Sequence, residues 1–448
     1  YPIIIFPLLS LLFSCGASRK TATTALQRQL EDSVFANAHM GFSLYDPASG
    51  TFLVNRQGDR YFVPASNTKI ITCYAGMKYL GDRLKGLEWI DMDTAVLLLP
   101  TGDPSFLHPD YSSQPVADFI RSLEKPVYIT DLAWMSKALG SGWSWDDYSA
   151  YYMAERSPLP IYGNVIRWYQ STARKENPSY PGDTLDVFVY SEPEVEWPVG
   201  FAPPEADGVF DVSRAREENR FTITQGREPK ASAEVPFLTK GLETAISLLR
   251  DSLHREVRYM DSSMAKALLK LKPRQTIYTQ PLDSMLRPMM HRSDNFFAEQ
   301  TLLMSGYALF GTLNDRAAAE RILQTDLKGM PHPPRWADGS GLSRYNLFTP
   351  MDFVWVLDKM RQDFGLDRIQ ALFPTTGKGT LSTFLADRPG KVYAKTGTLT
   401  GVSALSGFVQ AASGRWLVFS LMINNHRQPA RVIRQQSERI LRAVIDSY

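Results

Sequence analysis

Three Ser-x-x-Lys pairs occur in this 448-residue chain: Ser66–Lys69, Ser122–Lys125 and Ser263–Lys266. Residues three apart share a helix face, so the spacing can set an amine beside a hydroxyl. A serine whose proton a neighbouring amine removes is an acylating nucleophile. The spacing alone favours a plainer reading, a helix-capping serine with a solvated lysine. Only Ser66–Lys69 has company downstream. It is followed by Ser293-Asp294-Asn295 and then by Lys395-Thr396-Gly397. Each triplet is common by itself, whereas the ordered set is hard to attribute to chance. Lys69 must lose its proton to act as a base, and burial or a nearby cation favours that loss. Lys395 is the candidate cation. Ser66 falls in a first helical turn, where the helix dipole favours developing negative charge. Strand alternation sends Lys395 and Thr396 to opposite sides, so their jobs should differ. Gly397, without a side chain, would let a substrate backbone lie against the strand. The other two Ser-x-x-Lys pairs are expected at the surface.

The elements that must position these residues can be read from pattern. A helix starts near Ser66, with Ile70, Cys73, Tyr74, Met77 and Leu80 on one face. Upstream, HMGFSLYDPASGTFLVNR alternates about the turn Asp46-Pro47-Ala48-Ser49-Gly50, a hairpin signature. From 83 to 265, short apolar runs (DTAVLLLP, PVYITD, TLDVFVY, RFTITQG) are separated by Pro, Gly, Asp and Trp-rich turns. This stretch reads as an inserted β-rich module of one or two subdomains. Helical periodicity resumes at PLDSMLRPMMHRSDNFF, which puts Ser293-Asp294-Asn295 in a helical run or in a turn joining two helices. The stretch KVYAKTGTLTGVSALSGFVQ and its continuation read as antiparallel strands, closed by an amphipathic helix over about 429–446. The expected fold class is α+β, an antiparallel sheet flanked by helices, with the catalytic domain formed by 30–82 and 266–448.

Composition narrows the partners. Apolar residues make up 44% and charged residues 21%, a globular profile, and the length favours more than one domain. A net charge of +2 offers no field for nucleic acid. The histidines form no metal-ligand pair, and Cys15 and Cys73 make neither a zinc ribbon nor a disulfide framework, so no metal or cofactor is expected. Cys73 reads as a small buried helix residue. YPIIIFPLLSLLFSCGASRK resembles an export signal, and Leu12-Phe13-Ser14-Cys15 resembles a bacterial lipobox. On that reading residues 1–15 are the signal and 16–29 a tether. A lipidated Cys15 would then be the membrane contact of an exported, envelope-anchored protein facing the periplasm. The alternative is an N-terminal hydrophobic helix with an incidental cysteine.

The three motifs are the serine–lysine elements of penicillin-binding proteins and serine β-lactamases. Further stretches sharpen the likeness: Lys395-Thr-Gly-Thr-Leu-Thr-Gly-Val-Ser-Ala-Leu-Ser-Gly407, Asp338-Gly-Ser-Gly-Leu-Ser-Arg344, Gly102-Asp-Pro-Ser105 and GWSWDD at 142–147. Together with the long gap between Ser66 and Ser293, the chain resembles the DacB-like D-alanyl-D-alanine carboxypeptidase/endopeptidase family of low-molecular-mass penicillin-binding proteins. The resemblance implies a penicillin-binding, β-lactamase-like transpeptidase fold. It also implies a serine D,D-peptidase acting on peptidoglycan stem peptides, as carboxypeptidase or cross-link endopeptidase, and inhibited by β-lactams. It makes Ser66 the acylated nucleophile and Lys69 its base. Ser293, helped by Lys395, would relay a proton to the leaving amine, and Asn295 would hold the substrate amide. The backbone N–H groups of Ser66 and Thr398 would form the oxyanion hole, and the hydroxyls of Thr396 and Thr398 would receive the terminal carboxylate. Asp146 is a candidate substrate contact, with a turn beside the module's core as the plainer reading.

Competing readings remain at this level. Asp338-Gly-Ser-Gly is either a family hallmark or an ordinary glycine turn. Tyr162-Gly163-Asn164 matches a Tyr-x-Asn second motif, but its setting PLPIYGNVI reads as structural. A β-lactamase or esterase on the same fold, and a non-catalytic cell-wall-binding lipoprotein, are the functional alternatives.

Overall fold

The computed structural model describes residues 25–175, 184–205 and 207–448. The expected signal with Cys15, and most of the 16–29 tether, lie outside the described residues.

A five-stranded antiparallel sheet joins the two ends of the chain. Its order is Val392–Leu399, Val402–Gln410, Trp416–Asn424, His39–Asp46 and Thr51–Arg56. The hairpin turns where expected: the Asp46 carboxylate accepts from Ala48 N at 3.0 Å, and Gly50 supplies a φ of +70°. Both faces are covered, and alternation decides which residue goes where. Leu417, Phe419, Leu421 and Ile423 pack with Ile433, Ile440, Leu441 and Val444 of the closing helix Ala430–Ser447. Val418 and Met422 face the opposite way, into a core shared with the helix Pro350–Phe364.

The helix Thr68–Tyr79 lies where the sequence pattern places one. Every residue from Thr68 to Met77 is buried. It lies among the helices Leu282–His291, Asn295–Phe310 and Pro350–Phe364. A helix enclosed on all sides shows no amphipathic period, and the single stripe read from its sequence is only part of its contact surface.

The intervening segment folds around smaller sheets. One has the order Val257–Tyr259, Val127–Ile129, Val96–Pro100, Arg83–Asp91 and Gln275–Pro281. Its first three strands run parallel, with the helices Pro115–Ser122 and Glu243–Leu253 in the connections. Such strands are buried on both faces, which explains the unbroken apolar run Val96–Pro100. Two three-stranded sheets complete the segment, one centred on Val165–Lys175 and one on Phe221–Thr224. The β-rich texture is therefore found, but the boundary differs. Gln275–Pro281 pairs with Arg83–Asp91, so this sheet closes at 281 and not at the expected 265. The strand is largely half-exposed and ends on proline, which left little alternation to read.

Candidate active site

Ser66 sits in a 3-10 turn, Ala65–Asn67, that runs directly into the helix Thr68–Tyr79. One turn on, the fully buried Lys69 Nζ donates to Ser66 Oγ at 3.1 Å, to Asn295 Oδ1 at 2.6 Å and to the Ser340 carbonyl at 2.7 Å. Burial lowers its pKa to about 8, against Asp338, Glu299 and Asp294, which favour the charged form. Desolvation, rather than the anticipated cation, is what lowers it. Lys395 is itself held well below the ordinary lysine range, first by burial and then by Lys69.

Ser293-Asp294-Asn295 forms the turn between Leu282–His291 and Asn295–Phe310. Ser293 has a φ of +62°, in the left-handed region that costs a non-glycine residue about 1–3 kcal/mol. Asp294 caps the next helix, accepting from Phe297 N at 3.0 Å. Asn295 opens that helix, and its Nδ2 donates to the Tyr152 carbonyl at 2.9 Å. Lys395 Nζ donates to Ser293 Oγ at 2.8 Å and to the Thr396 carbonyl at 2.8 Å.

The strand Val392–Leu399 packs against the serine turn. A Cβ on Gly397 would lie 2.7 Å from Pro64 O and 3.0 Å from both Ser66 N and Asn67 N. The bare side of Gly397 thus faces the nucleophile's own turn, where the sequence reading had placed a substrate backbone. Thr398 lines the cleft, as Ser66 does. The Thr396 hydroxyl is bonded instead to Thr380 Oγ1 at 2.9 Å.

A third wall comes from Asp338-Gly-Ser-Gly. The buried Asp338 carboxylate accepts from Gly341 N (2.9 Å), Ser343 N (2.6 Å), Asn346 Nδ2 (2.7 Å) and Trp143 Nε1 (2.9 Å). This coil aims the Ser340 carbonyl at Lys69. Its glycines are needed for close approach: a Cβ on Gly341 would lie 1.9 Å from Ala65 O, at a φ of +82°. The glycine turn expected at Asp338-Gly-Ser-Gly is this loop.

The motif serine, the relay turn and the wall loop meet at a cleft of about 860 Å³. Asp146 and Asp147 line it, and Asp146 accepts from Ser144 Oγ at 2.6 Å. The decoys are elsewhere. Ser122 donates to Phe119 O while Lys125 pairs with Asp91, and Ser263 donates to Asp261. Tyr162 donates to Ser252 Oγ, and Asn164 holds Glu155 O and Ser157 Oγ, so that motif is structural. Sequence reasoning missed Ser340, Tyr152, Glu299 and Arg156. Only the Asn295–Glu299 spacing of four, which puts both on one helix face, was there to find.

Residues 22–444 match the family described as D-Ala-D-Ala carboxypeptidase 3 (S13). The chain belongs to that family. As a member it is an enzyme, a serine-type D,D-peptidase. It is 28% identical to a D-alanyl-D-alanine carboxypeptidase of Actinomadura sp. (strain R39), over 90% of this chain and 80% of that relative. It is 24% identical to the D-alanyl-D-alanine carboxypeptidase DacB of Haemophilus influenzae, over 93% of this chain and 92% of that relative. The crystal structure of penicillin binding protein 4 (dacB) from Haemophilus influenzae superposes with a TM-score of 0.68 at 20% identity, covering 95% of this chain and 97% of that one. The S13 fold is thus the α+β, penicillin-binding fold expected from the motifs.

Proposed function

We propose that Ser66 attacks the carbonyl of the penultimate D-Ala in a peptidoglycan stem peptide and carries the acyl group until water removes it. The observation that carries this is the position of Lys69, buried and bonded at once to Ser66, Asn295 and Ser340 O. In its neutral form Lys69 takes the Ser66 proton as Oγ attacks. The oxyanion that forms is met by the backbone N–H groups of Ser66 and Thr398, and losing one such donor costs about 3–4 kcal/mol. Ser293 then gives its proton to the departing amine, and the proton that Lys69 took from Ser66 passes back to Ser293 by way of Lys395, to which Ser293 is already bonded. Water attacks the acyl carbonyl as the neutral Lys69 takes its proton, and Lys69 returns that proton to Ser66 Oγ when the ester bond breaks.

Thr398 is the first receiver of the terminal carboxylate, because it lines the cleft. Thr396 adds a second hydroxyl once it leaves Thr380. Val392–Leu399 is the outer strand of its sheet, so an extended peptide can add to it through main-chain hydrogen bonds. Asp146 is placed to meet the peptide further from the scissile bond. The cleft also reaches Arg167 and Glu234, leaving room on both sides of that bond for a terminal D-Ala or a cross-linked strand. A β-lactam presents a strained amide to Ser66 and acylates it in the same way. Export and lipid anchoring through Cys15 complete the reading, and among the described residues no helix is long and apolar enough to cross a membrane.

Incubation with a fluorescent penicillin tests the assignment. A long-lived label that disappears in Ser66→Ala, and persists in Ser122→Ala and Ser263→Ala, is the expected result. Rapid penicillin turnover would make the protein a β-lactamase, and no label at all would remove the acyl-enzyme. Digestion of cross-linked muropeptides then separates carboxypeptidase from endopeptidase action. Incorporation of labelled palmitate, lost in Cys15→Ala, tests the anchor.

A further inference from the structure

The intervening segment does more than wall the cleft. Arg156, only 3% exposed, lies in that segment yet pairs with two acids of the helical layer. Its Nη1 donates to Glu299 Oε2 at 3.2 Å and to Asp315 Oδ2 at 2.7 Å. The rest of the guanidinium is held by its own segment: Nε donates to Lys137 O at 3.1 Å and Nη2 to Leu139 O at 3.3 Å. Its charge also lies 5.6 Å from the centre of the Trp143 ring. Glu299, 1% exposed, uses its other oxygen to accept from Ser340 N at 2.7 Å. The carbonyl of that same residue, Ser340, accepts from Lys69 Nζ at 2.7 Å. A continuous buried line therefore runs from Arg156 through Glu299 and Ser340 to Lys69.

Helix spacing closes the line from the other side. Asn295 and Glu299 are four apart on one helix, so Asn295 touches Lys69 directly and Glu299 touches it through Ser340. Satisfying a buried carboxylate demands such partners, since an unpaired buried charge is strongly destabilising.

We infer that Glu299 and Arg156 are positioning residues for Lys69: Arg156 holds the Glu299 carboxylate in place, and Glu299 fixes the Ser340 carbonyl that orients and electrically loads the amine. This rests on the reading of Lys69 as the base for Ser66. Lys69 is faced by Lys395, Asp294, Glu299 and Asp338, and Glu299 by Arg156, Asp315, Asp338 and Lys69. Glu299 has its pKa raised to about 7, by burial first and then by Asp338. It is therefore ionised in the range where Lys69 titrates. Its negative charge favours protonated Lys69, so its removal makes the neutral amine available at lower pH.

The test is the pH profile of Ser66 acylation by a fluorescein-linked penicillin, followed by gel fluorescence on the full protein. In folded Glu299→Gln the acidic limb should move down by about one pH unit. Glu299→Asp keeps the charge but is too short to span Ser340 N and Arg156. It should keep the limb in place while the plateau rate falls roughly tenfold, as expected for a misplaced catalytic group. A Glu299→Gln profile that superimposes on the wild type overturns the inference. Should Glu299→Gln fail to fold, an unchanged plateau in Glu299→Asp overturns it as well. A wild-type protein that takes no label at Ser66 would instead defeat the underlying reading of the site.

Discussion

Lys395 and Ser293 stand 102 positions apart in sequence, and their side chains meet at 2.8 Å. The lysine comes from the outer strand of the central sheet and the serine from a turn between two helices. Their bond fastens sheet to helical layer beside the cleft that Ser293 lines. It also holds a serine whose backbone would relax elsewhere, since a φ of +62° persists only under constraint.

Ser293→Ala should therefore slow release of D-Ala from a stem pentapeptide by roughly 10²–10⁴-fold, the usual share of a positioned proton donor. Penicillin labelling of Ser66 should continue, more slowly. A kcat within threefold of wild type would remove Ser293 from the proton path.

The pH dependence follows from Lys69. Its ordinary pKa is lowered to about 8 by burial, and only the neutral amine can take the Ser66 proton. The acylation rate should rise with pH, with a midpoint near 8, and fall about tenfold per unit well below it. Stopped-flow acylation between pH 6 and 10 reads this directly. A rate independent of pH over that span would assign the base elsewhere.

Gly397→Ala is expected to act on fold and chemistry together. The new methyl would meet Pro64 O at 2.7 Å and Ser66 N at 3.0 Å, so either the strand or the serine turn must shift. Overpacking of this kind costs about 1–3 kcal/mol. A small displacement of reacting groups costs about 10²-fold in rate. Thermal melting and acylation rate measured on one sample check both. Unchanged values would mean that the strand and turn are less tightly apposed than described.

Trp143→Phe removes a donor, at 2.9 Å, from the buried carboxylate of Asp338. Leaving a buried acceptor short of a partner costs about 1–3 kcal/mol. Denaturant unfolding should show that loss. Acylation should fall too, because Asp338 shapes the loop that presents Ser340 O to Lys69.

Much of the candidate site was legible because the side chains that meet there are set by type in fixed order. Ser66, Lys69, Ser293, Asn295 and Lys395 converge as the three motifs required. What could not be read are contacts made by backbone or by distant pairing. Ser340 acts through its carbonyl, and Tyr152 does so toward Asn295, so neither residue type gives a signal. Arg156 and Glu299 find each other only after folding. Gly397 was read as a surface for substrate because a strand glycine announces close approach without naming the approaching group. The fold was legible where turn residues separate two strand-like runs, as in the hairpin of His39–Asp46 and Thr51–Arg56. It was not legible where a strand was half-exposed, as in Gln275–Pro281.

The central sheet pairs His39 with Asn424, so its innermost contact joins the beginning of the described chain to a strand made near its end. Contacts of such separation form slowly, because loop closure must be met before they repay it. Trp416–Asn424 links the two halves: it pairs with Val402–Gln410, beside the strand of Lys395, and with His39–Asp46. The serine turn and the lysine strand are thus held together by a sheet drawn from segments far apart in the chain, and a break in either half costs the other its footing.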